Sequence, residues 1–292
     1  MSDTPAIVVI GSRGMLGRAV SEALDRRGAA CRRVNRPEFE LTDPDAIAAA
    51  IGPGVETVIN CAAWTDVDGA EADEAGADAA NHLGPRHLAE RCAAVGAVMV
   101  HYSTDYVFPG DARSPWPVDA PIAPINAYGR TKAAGEAAIR AVGPEHLILR
   151  TSWLYAPWGK NFVLTMRRLL REKDTLTVVD DQRGRPTSAE HLADATLGLL
   201  DADARGTLHV SDAGQCSWCG FARKINELLD DAGCDVQPCT TDAFPRPAKR
   251  PAYSVLDLAA TEAILGPRPH WHDTLRAVLD RVDTLDAAGS AA

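Results

Sequence analysis

Residues 6–28 read AIVVIGSRGMLGRAVSEALDRRG, and the way the glycines divide this stretch decides the fold. Ile7–Ile10 is a short β-rich run that reads as a strand, while Met15, Leu16, Val20 and Leu24 recur at helical spacing beyond it. Between the two lie Gly11, Gly14 and Gly17. Glycines in that place permit a tight turn, close approach of backbone to a pyrophosphate, and close packing of helix on sheet. The helix start adds N–H groups and a positive dipole. The turn therefore reads as a dinucleotide-binding site. Its GxxGxxG spacing differs from the commoner GxGxxG, so position after the first strand carries the assignment.

Working outward, further strands are expected at Cys31–Val34, 57–61, 98–103 and 147–150, with helices between them. Such alternation predicts an α/β fold, a Rossmann-like doubly wound parallel sheet. At the end of the second strand RRVNRPE (residues 32–38) offers Asn35 and Arg36 where a carboxylate would accept bonds from a free 2′-hydroxyl. With Arg13 in the glycine loop, Arg36 is suited to a 2′-phosphate, which favours NADPH and leaves NADH as the alternative. After Trp153 the rhythm loosens and Pro and Gly become frequent. Residues 1–150 are thus expected to form the NAD(P)-binding domain. Residues 151–292 would mainly form a smaller substrate-binding lobe, with 162–220 partly returning to the sheet. The tail DAAGSAA (residues 286–292) is low in complexity and expected to be disordered.

The 292 residues carry a formal charge of -10, which argues against nucleic acid or a membrane surface as partner. No apolar run approaches the roughly 18 residues of a membrane span, and the first strand begins too early for a signal peptide. A soluble, cytoplasmic protein is expected. Seven cysteines show no disulfide pattern, and the CxxC of Cys216 and Cys219 lacks a second ligand pair for zinc.

The stretch NAYGRTKAAGE (residues 126–136) holds Tyr128 and Lys132 four residues apart, on one face if a helix begins there. A nearby ammonium lowers a phenol's pKa and makes it a better proton donor to a carbonyl. The same spacing also arises by chance, as a half-buried Tyr beside a solvated Lys.

Together with the glycine turn and this pair, VINCAAWTDVDGAE (58–71) and HYSTDYVFPG (101–110) resemble the extended short-chain dehydrogenase/reductases. More closely, they resemble the dTDP-4-dehydrorhamnose reductases. The likeness continues through RTSWLYAPWGKNFV, VVDDQRGRPTSAEHLAD, GTLHVS and PAKRPAYSVLD, spanning nearly the whole chain in order. The resemblance implies reduction of the C4 ketone of a dTDP-4-dehydro-6-deoxy-L-sugar. It makes Tyr128 the proton donor, Lys132 the residue that tunes it and bonds the nicotinamide ribose, and Thr104 the third catalytic hydroxyl. It also sets Gly14, Met15 and Leu16 along the pyrophosphate and Ala62, Ala63, Trp64 and Thr65 along the cofactor's middle. Asp105 and Trp153 would touch the sugar, and the substrate's diphosphate would need cations, Arg185 and Arg250 being the best suited.

Two positions depart from the family's pattern. Gly69 stands where such reductases usually carry a lysine, which leaves a related deoxysugar open as substrate. Some members form homodimers through Mg²⁺ held by glutamates. Glu190 is suitably placed for that, but Ala19 stands where a second ligand is needed, so a complete metal site is not expected. Asp105-Tyr106 replaces the Asp-Glu that follows the threonine in related dehydratases. A non-catalytic NADP-binding regulatory subunit is the remaining alternative, opposed by the intact Thr104, Tyr128 and Lys132.

Overall fold

The computed structural model describes residues 6–230 and 233–290, with side chains to residue 287. The chain begins β1 (Ile7–Ile10), α1 (Met15–Arg26), β2 (Cys31–Val34), α2 (Pro44–Ala50) and β3 (Thr57–Asn60). Next come α3 (Val67–Ala72), α4 (Glu74–Asp78), a π-helical turn, α5 (Gly84–Val95), β4 (Val98–Thr104), α6 (Ala127–Val142) and β5 (His146–Thr151). The second half holds β6 (Leu154–Tyr155), α7 (Phe162–Glu172), β7 (Thr175–Val179), β8 (Arg183–Gly184), β9 (Thr187–Ser188) and α8 (Ala189–Asp201). It ends with β10 (Gly206–His209), β11 (Cys216–Ser217), α9 (Trp218–Leu228), β12 (Asp235–Cys239), α10 (Ala259–Leu265) and α11 (Trp271–Ser290).

Six strands form one parallel sheet in the order β10-β5-β4-β3-β1-β2. The apolar face of α1 (Leu16, Ala19, Val20, Leu24) and that of α8 (Leu192, Ala193, Leu197) close one side of it. Ile47 of α2, Leu88 and Cys92 of α5 and Ile139 of α6 close the other. Both faces are covered, which is why the strands read as near-continuous apolar runs. The order reverses between β1 and β3, so their carboxyl ends diverge and open a crevice there, the usual ligand position in such sheets.

Within the second half, α8 and β10 rejoin the sheet, while α7, α9, α11, β7 and β12 build a separate core around Met166, Phe221, Ile225 and Leu275. Where composition predicts a disordered tail, α11 instead continues to Ser290. Arg167 of α7 pairs with Asp283 and Asp286, tying the last turns down at 2.5 and 3.0 Å. Residues 291–292 of that tail lie outside the described residues. All seven cysteines are free thiols, and burial raises the pKa of Cys216 and Cys219, the two thiols of the CxxC. Among the described residues no helix is long and apolar enough to cross a membrane.

Candidate active site

The glycine turn is built without spare room. Gly11 adopts φ +74°, and a Cβ on it would lie 2.9 Å from the backbone nitrogen of Ala62. A Cβ on Gly17 would come within 2.1 Å of the Gly11 carbonyl oxygen, so only glycine lets α1 start so close to β1. Gly14 is the N-cap of α1 and caps it with no side chain. The first N–H groups of the helix are therefore left for a ligand, with no acidic residue in the first turn to oppose an anion. Leu16 is buried in the core, whereas Met15 is half-buried and its carbonyl accepts from Trp158 Nε1 at 3.1 Å. These features fit a dinucleotide's pyrophosphate.

At the end of β2, Asn35 locks onto the turn: its Oδ1 accepts from Arg13 N at 2.8 Å and its Nδ2 donates to Ser12 Oγ at 2.7 Å. Arg13 Nη1 donates to the Arg36 carbonyl at 3.2 Å, bringing the two arginines together. The Arg36 guanidinium pairs with Glu40 at 2.8 Å, an exposed bond of little worth and easily exchanged for a phosphate. Beyond β3, Asn60 Oδ1 accepts from Ala62 N at 3.1 Å, and Asn81 Oδ1 accepts from Trp64 N at 2.9 Å, so this loop is held in shape while Ala63 and Thr65 stay exposed.

Asn126 caps α6, accepting from Gly129 N at 2.7 Å and donating to the Lys249 carbonyl at 2.8 Å. That cap begins the helix one residue before Tyr128, at the end of the sheet where β4 delivers Thr104 and Asp105. Thr104 Oγ1 donates to Asp105 Oδ1 at 3.0 Å and accepts from Tyr106 N at 3.1 Å, and its hydroxyl lies near enough to the Tyr128 phenol to lower the phenol's pKa. Burial pushes the Tyr128 phenol up to about 12, against the Thr104 hydroxyl and with help from the Asp105 charge. Asp105 is itself pushed up to about 7 by burial.

Lys132 departs from the expectation that it lowers the phenol's pKa. Its Nζ donates to the Tyr102 carbonyl at 2.5 Å and lies 3.2 Å from His101 Nε2, and the phenol's pKa is raised. Burial pulls the ammonium down to about 8, with Glu136 opposing. With its pKa raised by burial, the phenol stays protonated at neutral pH.

The two arginines differ. Arg250 Nη1 donates to Asp68 Oδ1 at 2.5 Å and to the Ala248 carbonyl at 2.6 Å. Burial works against its charge, but Asp68 and the Tyr106 hydroxyl outweigh it and raise its pKa. Tyr106 in turn meets the Tyr128 ring edge-on at 6.0 Å, which links Arg250 to Tyr128. Arg185, also expected at the diphosphate, is instead spent on the carbonyls of Leu256 and Gly214 at 2.8 and 2.7 Å, where it clips two loops together. Trp153 takes a left-handed φ of 48°, uncommon for a bulky residue, and stacks on Trp218 at 3.5 Å. Glu190 is occupied by Arg281, which also holds Glu22 at 2.7 Å, and Ala19 is buried. Among the described residues no group of three or more His, Cys, Asp or Glu is placed to hold a metal ion.

Sequence reasoning missed Asn60, His101, Asp68 and Tyr106. A signal for the first two existed: Asn60 follows Val58 and Ile59 and His101 follows Val98, Met99 and Val100, each a polar residue directly after an apolar run, and they stand opposite each other in the β3–β4 register.

A family model described as the RmlD substrate binding domain matches residues 5–284. The chain is 45% identical over 281 residues to a dTDP-4-dehydrorhamnose reductase of Streptomyces griseus, spanning 93% of this chain and 92% of that one. The crystal structure of a dTDP-4-dehydrorhamnose reductase of Clostridium acetobutylicum superposes with a TM-score of 0.91 at 38% identity, covering 95% and 99% of the two chains. That of the Bacillus anthracis enzyme in complex with NADP gives 0.89 at 33% identity, with the same coverage.

Proposed function

The chain belongs to the dTDP-4-dehydrorhamnose reductases, NAD(P)H-dependent oxidoreductases, and on that premise we propose that it reduces the C4 ketone of dTDP-4-dehydro-L-rhamnose with NADPH, yielding dTDP-L-rhamnose. The observation that carries this reading is the convergence of Thr104, from the end of β4, and Tyr128, from the start of α6, with Lys132 one helical turn away. Reduced nicotinamide supplies the hydride to C4. Tyr128 holds its proton firmly at neutral pH and gives it up as negative charge grows on the ketone oxygen, because that oxygen becomes the stronger base. Thr104 orients the phenol and offers its own hydroxyl to the same oxygen. Arg250 exchanges part of its bond to Asp68 for the substrate's diphosphate, and Trp153 forms an apolar wall for the sugar. Lys132, once released from the Tyr102 carbonyl, bonds the nicotinamide ribose. Arg13 and Arg36 hold the 2′-phosphate.

The test mixes purified protein, NADPH and dTDP-4-dehydro-L-rhamnose, follows NADPH loss and identifies the sugar formed. Tyr128→Phe is expected to keep NADPH affinity and to lose roughly 10²–10⁴-fold in kcat, the usual worth of general acid catalysis. Oxidation of NADPH only with a different 4-ketosugar overturns the substrate, and none with any ketosugar overturns the enzymatic reading in favour of a binding subunit. A Tyr128→Phe protein keeping more than about a tenth of kcat, with hydride transfer rate-limiting, overturns the role of Tyr128.

A further inference from the structure

Asn60 and His101 are each 1% exposed, sit side by side on β3 and β4, and have no part in the chemistry above. Buried polar side chains cost free energy unless each donor finds an acceptor, so the direction of every bond between them is constrained. The constraint starts at a backbone group that cannot turn: Ala62 N–H donates to Asn60 Oδ1 at 3.1 Å. The Asn60 amide is thereby oriented, and its Nδ2 faces His101 Nδ1 at 3.1 Å. A donor at that position makes Nδ1 the acceptor, so the neutral ring carries its proton on Nε2. Nε2 lies 3.2 Å from Lys132 Nζ, whose other partner is the Tyr102 carbonyl. An ammonium there would set two donors against each other. An uncharged amine accepts from Nε2–H with its lone pair and still donates to Tyr102.

Resting on the reading of Lys132 as ribose ligand, we infer that His101, oriented by Asn60, is a positioning residue that favours the uncharged amine of Lys132 in the free protein, so that in mildly alkaline solution NADPH binding draws a proton from solvent onto Nζ. The ribose hydroxyls offer acceptors that the imidazole does not, and the cofactor's phosphates favour a cation nearby. The groups facing Nζ are His101 and the Tyr102 carbonyl from β4, Asn60 through the imidazole from β3, and Glu136 from its own helix. Of these Glu136 alone is anionic, and it is claimed by Arg150 at 2.8 Å. The direction of the ammonium's shift under burial agrees with the bond pattern, as does that of His101, which burial keeps neutral.

The experiment has two arms. Nitrogen-15 NMR of His101 in the free protein reads the tautomer, with Nε2–H expected and Nδ1–H overturning the inference. Calorimetric titration of NADPH at about pH 8.5, in buffers of different ionisation enthalpy, reads protons taken up; the wild type is expected to take up about one half to one per cofactor bound. Asn60→Asp is the decisive variant. A carboxylate accepts both from Ala62 N–H and from His101 Nδ1, so it reverses the chain, moves the ring proton to Nδ1 and allows the ammonium. Uptake should then fall close to zero with binding retained. His101→Gln, whose amide oxygen can turn to Nζ, should also lose the uptake. Unchanged uptake in both variants, or none in the wild type, overturns the inference. If the wild type binds no NADPH, the functional reading fails separately, and the tautomer alone decides the inference.

Discussion

Replacing Asp105 by asparagine removes a charge that the fold tolerates poorly. The side chain is 2% exposed, its Oδ1 accepts from Thr104 Oγ1 at 3.0 Å, and its Oδ2 is buried without a hydrogen-bond partner. Burial pushes the carboxyl from 3.8 up to about 7, against the lowering effect of the Thr104 hydroxyl. Because the folded pKa lies above the unfolded one, the native state binds the extra proton between those two values. Wild-type stability therefore falls as pH rises from about 4 to about 7 and levels off above that. Roughly three pKa units at about 1.4 kcal/mol each put the loss on the order of 4 kcal/mol. Asparagine is isosteric, keeps an acceptor for Thr104 and cannot ionise. Asp105→Asn should match the wild type near about pH 3.5 and exceed it near about pH 8, by roughly 10 °C in Tm if about 2–4 °C accompany each kcal/mol. Thermal unfolding of both proteins across this pH range, followed by circular dichroism, is the assay. A difference in Tm that stays constant across the range would refute the reasoning, since it would mean that the site accepts both forms of the carboxyl equally.

Gly17→Ala drives a methyl to 2.1 Å from the Gly11 carbonyl, so the turn must retreat by about 1 Å and at least one N–H bond to the pyrophosphate is lost. NADPH Kd should rise by tenfold or more, and fluorescence titration giving less than a threefold rise would contradict this. Arg36→Ala should lower the preference for NADPH over NADH, measured as the ratio of kcat/KM values, by roughly tenfold or more, since a charge-assisted contact is worth about 1.5–3 kcal/mol. No change in that ratio would remove Arg36 from the 2′-phosphate. Arg250→Ala should raise KM for the nucleotide sugar by about tenfold with kcat changed far less. A fall in kcat at constant KM would shift Arg250 from substrate binding to the chemical step.

Local rules were enough for the first five strands of the sheet and for the glycine turn. Helical spacing in α1, the glycines at 11, 14 and 17 and the caps at Asn126 and Asp43 act over a few residues, so their physics is written in short stretches of chain. The Tyr128–Lys132 spacing likewise follows from one helix. What Lys132 touches does not, because His101 and Tyr102 lie 31 and 30 residues away and meet it only when β4 and α6 pack. The same holds for the arginines. Arg185 and Arg250 look alike in sequence, yet one is spent on the Leu256 and Gly214 carbonyls and the other stands at Asp68, across 182 residues. The shifts at Asp105, Tyr128 and Lys132 belong to the tertiary structure for the same reason, since they come from burial, and burial depends on which distant segments cover a group. Composition alone predicts a disordered end for the chain, whereas residues 286–290 continue a helix whose Asp283 and Asp286 pair with the distant Arg167.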